Sequence, residues 1–271
     1  MIVDERIVTF INSLDTENSR ILEEIEKEAH ASDVPVIRRE MQSLLKVLLM
    51  LQKPMRILEV GTAIGFSALL MSEYAPEGCR ITTIENYEKR IPIARGNFAR
   101  AGKGDVIALI EGDAAQVLET LEGTYDFIFM DAAKGQYIHY LPHVLRLLAE
   151  GGCLVSDNVM QDGDVIQSRF AVERRNRTIH ARMREYLYEL KHNPLLETAI
   201  LPLGDGAAIS VKRNGEQPEE ARPAEQAPAQ KDGNQAEQAP AQKDGSQAEQ
   251  ALARQEEQEQ HQKTEKEGEK Q

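Results

Sequence analysis

Arg56-Ile-Leu-Glu-Val-Gly-Thr-Ala-Ile-Gly-Phe-Ser67 is the stretch on which the fold turns. A short run of branched apolar residues stops at Gly61, Gly65 follows four positions later, and an apolar helical pattern begins. That reads as a buried strand, a tight turn and a helix start. The alternation recurs downstream, where Arg80–Glu85, Asp105–Glu111, Tyr125–Asp131 and Cys153–Asp157 are apolar runs separated by segments long enough for crossover helices. Repeated strand-helix-strand units predict an α/β fold on a mostly parallel sheet with right-handed crossovers. A long helix is predicted near 172–192. After it, Leu196–Leu203 and Ala207–Lys212 are joined through Gly204-Asp205-Gly206, the chemistry of an antiparallel hairpin turn.

Residues 1–52 carry no strand signal. Ile7, Phe10, Ile11 and Leu14 form one helical stripe, and Ile21, Leu22, Ile25 and Ala29 a second. A third runs from Val36 through Met41, Leu44, Leu45, Leu48 and Leu51, apolar on most faces, and should be buried against something large. These helices (1–52) and the α/β core (53–213) make one domain. Residues 214–271 differ: Leu252 is their one large aliphatic and they hold no aromatic, so they cannot bury enough surface to offset ordering entropy. Ala-Glu-Gln-Ala-Pro-Ala-Gln-Lys-Asp-Gly occurs at 224–233 and again at 236–245, which reads as a flexible, low-complexity tail.

The 271 residues hold 45 acidic and 32 basic side chains, a net charge of −13. About half of that excess lies in the tail, so a local basic patch on the body can still bind phosphate. No run approaches the roughly 20 apolar residues of a membrane helix, and the start lacks the order of a secretory signal. A cytoplasmic protein with no membrane or DNA partner is expected, with a homodimer as its assembly. Cys79 and Cys153 are too few and too far apart for a zinc cluster or disulfide framework, and read as small buried hydrophobes.

Ligands of open α/β sheets lie beyond the carboxyl ends of the strands. The first strand ends at Glu59-Val60-Gly61, and the turn after it carries Gly65 and Ser67. Its Gly-x-x-x-Gly spacing lets backbone approach a ligand but is not the dinucleotide fingerprint. Glu85 ends the second strand, where an acid accepts hydrogen bonds from a ribose diol. Gly112-Asp113-Ala114 follows the third, at the level of an adenine edge. Asp131 ends the fourth and Asp157-Asn158 the fifth. On neighbouring strands about 4.8 Å apart these oxygens converge as a hard divalent cation requires. Taken alone, Asp131 capping a helix and Asp157-Asn158 making a turn is the plainer account. Lys134, three residues after Asp131, is placed to take a proton from a bound hydroxyl.

Together Glu59-x-Gly61-x-x-x-Gly65-x-Ser67, Glu85, Gly112-Asp113-Ala114, Asp131-Ala-Ala-Lys134 and Ser156-Asp157-Asn158-Val159 resemble the cation-dependent O-methyltransferases related to catechol O-methyltransferase. The resemblance covers residues 1–213. It implies a Rossmann-like seven-stranded sheet in the order 3-2-1-4-5-7-6 with its last strand antiparallel, and S-adenosylmethionine as cofactor. The cofactor would lie along Glu59, Gly61, Gly65, Ser67, Glu85, Asp113, Ala114 and Asp131. The resemblance further implies Mg²⁺ or Mn²⁺ on Asp131, Asp157 and Asn158, and Lys134 as the catalytic base. The tail inherits nothing.

Ser168 to Leu190 bears on the substrate. On a helix, Ile179, Met183, Tyr186, Leu187 and Leu190 share one side, and Arg174, Arg177 and Arg184 fall nearly opposite. A solvated face paired with Glu173, Glu185 and Glu189 accounts for them, and so does an RNA backbone. With Gln161-Asp-Gly-Asp164 and Leu203-Gly-Asp-Gly206, the segment is similar to bacterial tRNA 5-hydroxyuridine methyltransferases, which implies tRNA as substrate and 5-methoxyuridine at the wobble position as product. A small catechol or hydroxycinnamoyl acceptor is the alternative. A module binding S-adenosylmethionine or RNA without turnover is a third reading, against which four intact metal and base residues speak.

Overall fold

A computed structural model describes residues 2–215 of the chain; the 216–271 part of the repeat-bearing tail lies outside the described residues. Three helices come first: α1 (Glu5–Asn12), α2 (Arg20–Ala31) and α3 (Arg39–Gln52). The α/β core follows as β1 (Arg56–Val60), α4 (Phe66–Tyr74), β2 (Arg80–Glu85), α5 (Ile91–Arg100), β3 (Ile107–Glu111), α6 (Ala114–Thr120), β4 (Tyr125–Met130), α7 (Tyr137–Leu147), β5 (Leu148–Ser156), α8 (Arg177–His192), β6 (Leu196–Leu201) and β7 (Ala207–Lys212).

The strands form one sheet in the order β3-β2-β1-β4-β5-β7-β6. Strands β1 to β5 pair in parallel, and β7 runs antiparallel to both β5 and β6. Chain direction across the sheet therefore reverses its walk between β1 and β4, the switch point at which open α/β sheets bind ligands.

Alternation along the strands divides the core in two. Ile57, Phe127, Phe129 and Val155 pack with α2, α3 and α4 on one face. Leu58, Val60, Ile128, Met130 and Leu154 pack with α7 and α8 on the other. Successive side chains of a strand point to opposite faces, so runs with no polar gap are what a sheet covered on both sides requires. Cys79 and Cys153 are buried and unbonded to each other, and burial pushes their thiols up to about 11 and about 12.

Three details depart from the sequence pattern. The third helix starts at Arg39, not Val36, with Arg38 still extended (ψ 155°) at its N-cap. It buries Met41, Leu45 and Leu49 on one side, but Val47, Met50 and Leu51 are exposed, as are Ile7, Phe10 and Ile11 of α1 and Leu14 just beyond its end. Strand β5 begins at Leu148, five residues before the apolar run, since its first half is Ala149-Glu-Gly-Gly152 and pairs with β4 through an irregular register.

Candidate active site

The carboxyl ends of β1, β2, β4 and β5 open into a cavity of about 610 Å³, within the range of small-molecule sites. Gly61 reaches it in a left-handed conformation (φ 104°), and a Cβ there would meet the Asp131 carbonyl oxygen at 2.0 Å. Gly65 (φ 84°) has the Phe98 ring at 2.4 Å from the same notional atom. Both glycines are thus demanded by the protein's own packing, a reason for them that the sequence reading did not give. Gly61 lines the cavity; Gly65 heads α4 behind it.

Glu59 is fully buried beneath this turn, accepting from the Ser67 and Thr83 hydroxyls. Burial raises its pKa to about 8, against those two hydrogen bonds, which lower it. Ser67 lines the cavity, yet its proton is committed to Glu59, leaving its oxygen as an acceptor. Glu85 lies on the cavity wall with both oxygens in use. Oε2 accepts from Ala63 N–H (2.8 Å), and Oε1 from Asn86 (3.0 Å) and Tyr87 (2.8 Å) N–H. A carboxylate oxygen has two lone pairs, so one site remains, on Oε2, for a hydroxyl of a ribose diol. Gly112 and Ala114 line the cavity, while the Asp113 carboxylate turns away to cap α6, accepting from Ala115 N–H at 2.9 Å.

At the other end Asp131 and Asp157 leave adjacent strands in register, Met130 pairing with Ser156. Asp131 N–H donates to Val60 carbonyl (3.0 Å) and Asp157 N–H to Met130 carbonyl (2.9 Å), which aims both side chains into the cavity mouth. Asn158, left-handed at φ 60°, donates its amide to Asp131 Oδ1 at 3.0 Å. Burial raises the pKa of both aspartates. Asp131's charge pushes Asp157 further, while the Asn158 amide and Lys134 pull Asp131 back. Two buried carboxylates that disfavour each other's ionisation, beside an amide oxygen, form the all-oxygen set that a hard divalent cation would stabilise. Among the described residues no group of three or more His, Cys, Asp or Glu competes with it. Lys134 stands beside them at the cavity wall, its Nζ 2.9 Å from Asp205 Oδ2.

Sequence reasoning gave no role to three contributors. Pro35, Val36, Ile37 and Arg38 form a wall of the cavity as non-helical chain before α3. Tyr137, fully buried, accepts from Ala132 N–H (3.1 Å) and contacts the carbonyls of Met130 and Asp157 (both 3.2 Å), tying the ends of β4 and β5 together. Asp205 was read as part of a turn and of the Leu203-Gly-Asp-Gly206 motif, with no role of its own. Of the arginines opposite the apolar face of α8, Arg177 Nε is spent on Val172 carbonyl (3.1 Å) and Arg184 Nη1 on Val165 carbonyl (2.9 Å). Arg174 is exposed. The first two hold the segment before α8 in place, where both earlier accounts had them facing solvent or phosphate.

The sequence profile described as O-methyltransferase matches residues 12–213. The chain belongs to the O-methyltransferase family. It is 32% identical over 179 residues to caffeoyl-CoA O-methyltransferase 5 of Nicotiana tabacum, covering 61% of this chain and 72% of that one. It is also 32% identical over 163 residues to the catechol O-methyltransferase of Mycobacterium tuberculosis, covering 58% and 72%. The crystal structure of an O-methyltransferase from Bacillus cereus in complex with SAH superposes with a TM-score of 0.68 at 25% identity, covering 77% of this chain and 97% of that one. The strand order is the one that the motif resemblance implied. No helix of the described residues is long and apolar enough to cross a membrane.

Proposed function

We propose that this O-methyltransferase uses S-adenosylmethionine and a divalent cation to methylate one of two adjacent oxygens on a small catechol or hydroxycinnamoyl acceptor. The observation that carries this is the convergence of Asp131, Asp157, Asn158 and Lys134 at one end of a cavity whose other end is Glu85. The names of the caffeoyl-CoA and catechol O-methyltransferase relatives support the acceptor class.

The residues divide the work. Gly61 and Ser67 would face the cofactor's methionine part, Glu85 its ribose, and Gly112 with Ala114 its adenine. Asp131, Asp157 and Asn158 would hold the cation, Mg²⁺ or Mn²⁺ by the hardness of the donors. When bound, the cation would supply positive charge that makes the acceptor hydroxyl easier to deprotonate. Lys134 takes that proton. S-adenosylmethionine, when bound, would supply the methyl group and leave as a neutral thioether, with Gly61, Ser67 and Glu85 holding it against the deprotonated acceptor oxygen. Holding the two reactants in line in one cavity removes the entropic cost of their meeting.

A second reading, 5-hydroxyuridine in tRNA as acceptor, is favoured by the segment before α8. Phe170 is 88% exposed there among Arg169, Arg174 and Arg175, and exposed aromatics with guanidiniums stack on unpaired bases. 5-Hydroxyuridine offers the same chemistry, its 5-hydroxyl lying beside the 4-carbonyl. The deciding assay measures methyl transfer from labelled S-adenosylmethionine to 3,4-dihydroxybenzoate, caffeoyl-CoA and tRNA containing 5-hydroxyuridine, each with and without EDTA. Labelling of tRNA alone would replace the first reading by the second, and undiminished transfer in chelator would remove the cation from both.

A further inference from the structure

We propose that Asp205, in the turn between β6 and β7, is a positioning residue whose carboxylate holds the Lys134 amine at the cavity wall. The proposal rests on the reading of Lys134 as the base. The two residues are 71 positions apart, and Lys134 Nζ lies 2.9 Å from Asp205 Oδ2. The Asp205 side chain is 4% exposed and that of Lys134 30%. A lysine carries its amine on a flexible four-carbon stem with many rotamers open to it. Set on the short turn Lys134–Gln136, it would wander through the cavity mouth unless something held its far end.

The turn is built to keep the carboxylate still. Val159 N–H donates to Gly206 carbonyl and Met160 N–H to Asp205 carbonyl, both at 2.9 Å, so the hairpin turn is docked on the residues that follow Asp157-Asn158. Gly206 (φ 86°) lies so close to Met160 that a Cβ would meet its side chain at 2.4 Å and its backbone nitrogen at 2.9 Å. Asp205 Oδ1 accepts the backbone N–H of Asp162, fixing the second oxygen. One carboxylate thereby registers the amine of Lys134 against the backbone that carries the proposed cation ligands.

Burying a carboxylate is costly unless it is paired. Capping the Asp162 N–H needs only a neutral oxygen, and Asp157 close by makes a further negative charge unwelcome. The Lys134 amine donates to Asp205 Oδ2 in its neutral as in its charged form, so the carboxylate holds it both before and after it takes the proton.

Asp205→Asn is the test, because it keeps the volume and an oxygen for Asp162 N–H while removing the charge. In the full chain, with whichever of 3,4-dihydroxybenzoate or hydroxyuridine-containing tRNA is turned over, kcat should fall at least tenfold. Acceptor KM, Mn²⁺ affinity by calorimetry and the thermal midpoint should stay close to those of the parent, and Asp205→Glu should recover an intermediate rate. An unchanged kcat overturns the proposal, and so does a loss of Mn²⁺ affinity matching the loss of rate, which would make Asp205 part of the cation site. Should Asp205→Asn fail to fold, Asp205→Glu carries the test, with a wild-type rate counting against it. Lys134→Met, assayed in parallel, separates the two layers. Full activity there defeats the base reading itself, whereas its inactivity beside an unaffected Asp205→Asn defeats only the positioning.

Discussion

The two ends of the cavity hold their carboxylates in opposite ways. At the β1–β2 end, Glu85 already accepts three backbone N–H groups and Glu59 two hydroxyls, so each acid is satisfied by the fold itself. At the β4–β5 end, Asp131 and Asp157 are buried with an Asn158 donor apiece, one from its amide and one from its backbone, and each raises the other's cost of ionising. Acids of the first kind stabilise the loop geometry, and acids of the second kind are held ready for a charge from outside. The same residue type serves structure at one end and binding at the other.

The largest effect should come from the unsatisfied end. Asp157→Asn removes one of two mutually repelling buried charges and one proposed cation ligand. Methyl transfer should fall on the order of 10³-fold, several kcal/mol of lost charge stabilisation. The metal-free thermal midpoint should hold or rise. Calorimetric Mn²⁺ titration and a thermal melt in EDTA read the two halves, and a variant that melts well below its parent would make this pair structural and erase the contrast.

Next comes Glu85, where truncation should behave as a folding lesion as well as a binding one. Glu85→Ala strands the N–H groups of Ala63, Asn86 and Tyr87, which costs about 1–3 kcal/mol and lowers the midpoint by several degrees. Glu85→Gln keeps one acceptor oxygen and should lose less stability while still weakening binding of S-adenosylhomocysteine. Equal melting of the Ala variant and the parent would show that water replaces the carboxylate, and that Glu85 is free for the ligand.

The sequence made this contrast only partly legible. Periodicity and glycine placement suffice for β1, β2 and β7, whose bounds match the apolar runs, and the motif resemblance supplies the strand order. Polar pairing is a property of the folded chain. Nothing local to Ser67 says that its proton goes to Glu59, nor does the Asp113 position say whether it caps α6 or faces a ligand. Arg177 and Arg184 look like free cations on a helical wheel because their carbonyl partners, Val172 and Val165, belong to a segment without periodicity. Lys134 and Asp205 meet only through the placement of β7 between β5 and β6.

A pH series sharpens the satisfied end. Glu59 has its ordinary carboxyl value when unfolded and one raised to about 8 when folded, so between those values the native state holds a proton that the unfolded chain has released. Stability from this group therefore falls as pH rises from about 4.5 to about 8, by at most about 1.4 kcal/mol per pH unit. Glu59→Gln, a mimic of the protonated acid whose hydroxyl partners can turn to suit it, should lack that slope. Urea denaturation at pH 5, 6.5 and 8 should show the variant gaining on its parent at each step. Parallel curves would mean that Glu59 folds ionised.

Ser67→Ala is the smallest of these changes and tests the same hydrogen bonds from the donor side. The Ser67 hydroxyl lowers the Glu59 pKa, so removing it should move the falling limb of stability to higher pH. At pH 6 the bond joins two neutral groups and its loss should cost about 1 kcal/mol. At pH 9 the acceptor is ionised and the bond is charge-assisted, so the loss should grow to about 1.5–3 kcal/mol. The deficit of the variant must widen with pH, the reverse of the trend for Glu59→Gln. Denaturant midpoints at the two pH values decide it: a constant deficit would show that Ser67 serves packing alone and that Thr83 carries Glu59. Affinity for S-adenosylhomocysteine, measured alongside at pH 6, should drop modestly because Ser67 also lines the cavity. A drop as large as that of Glu85→Gln would mean that the hydroxyl leaves Glu59 when the ligand arrives, and that this end of the cavity, too, is held in readiness.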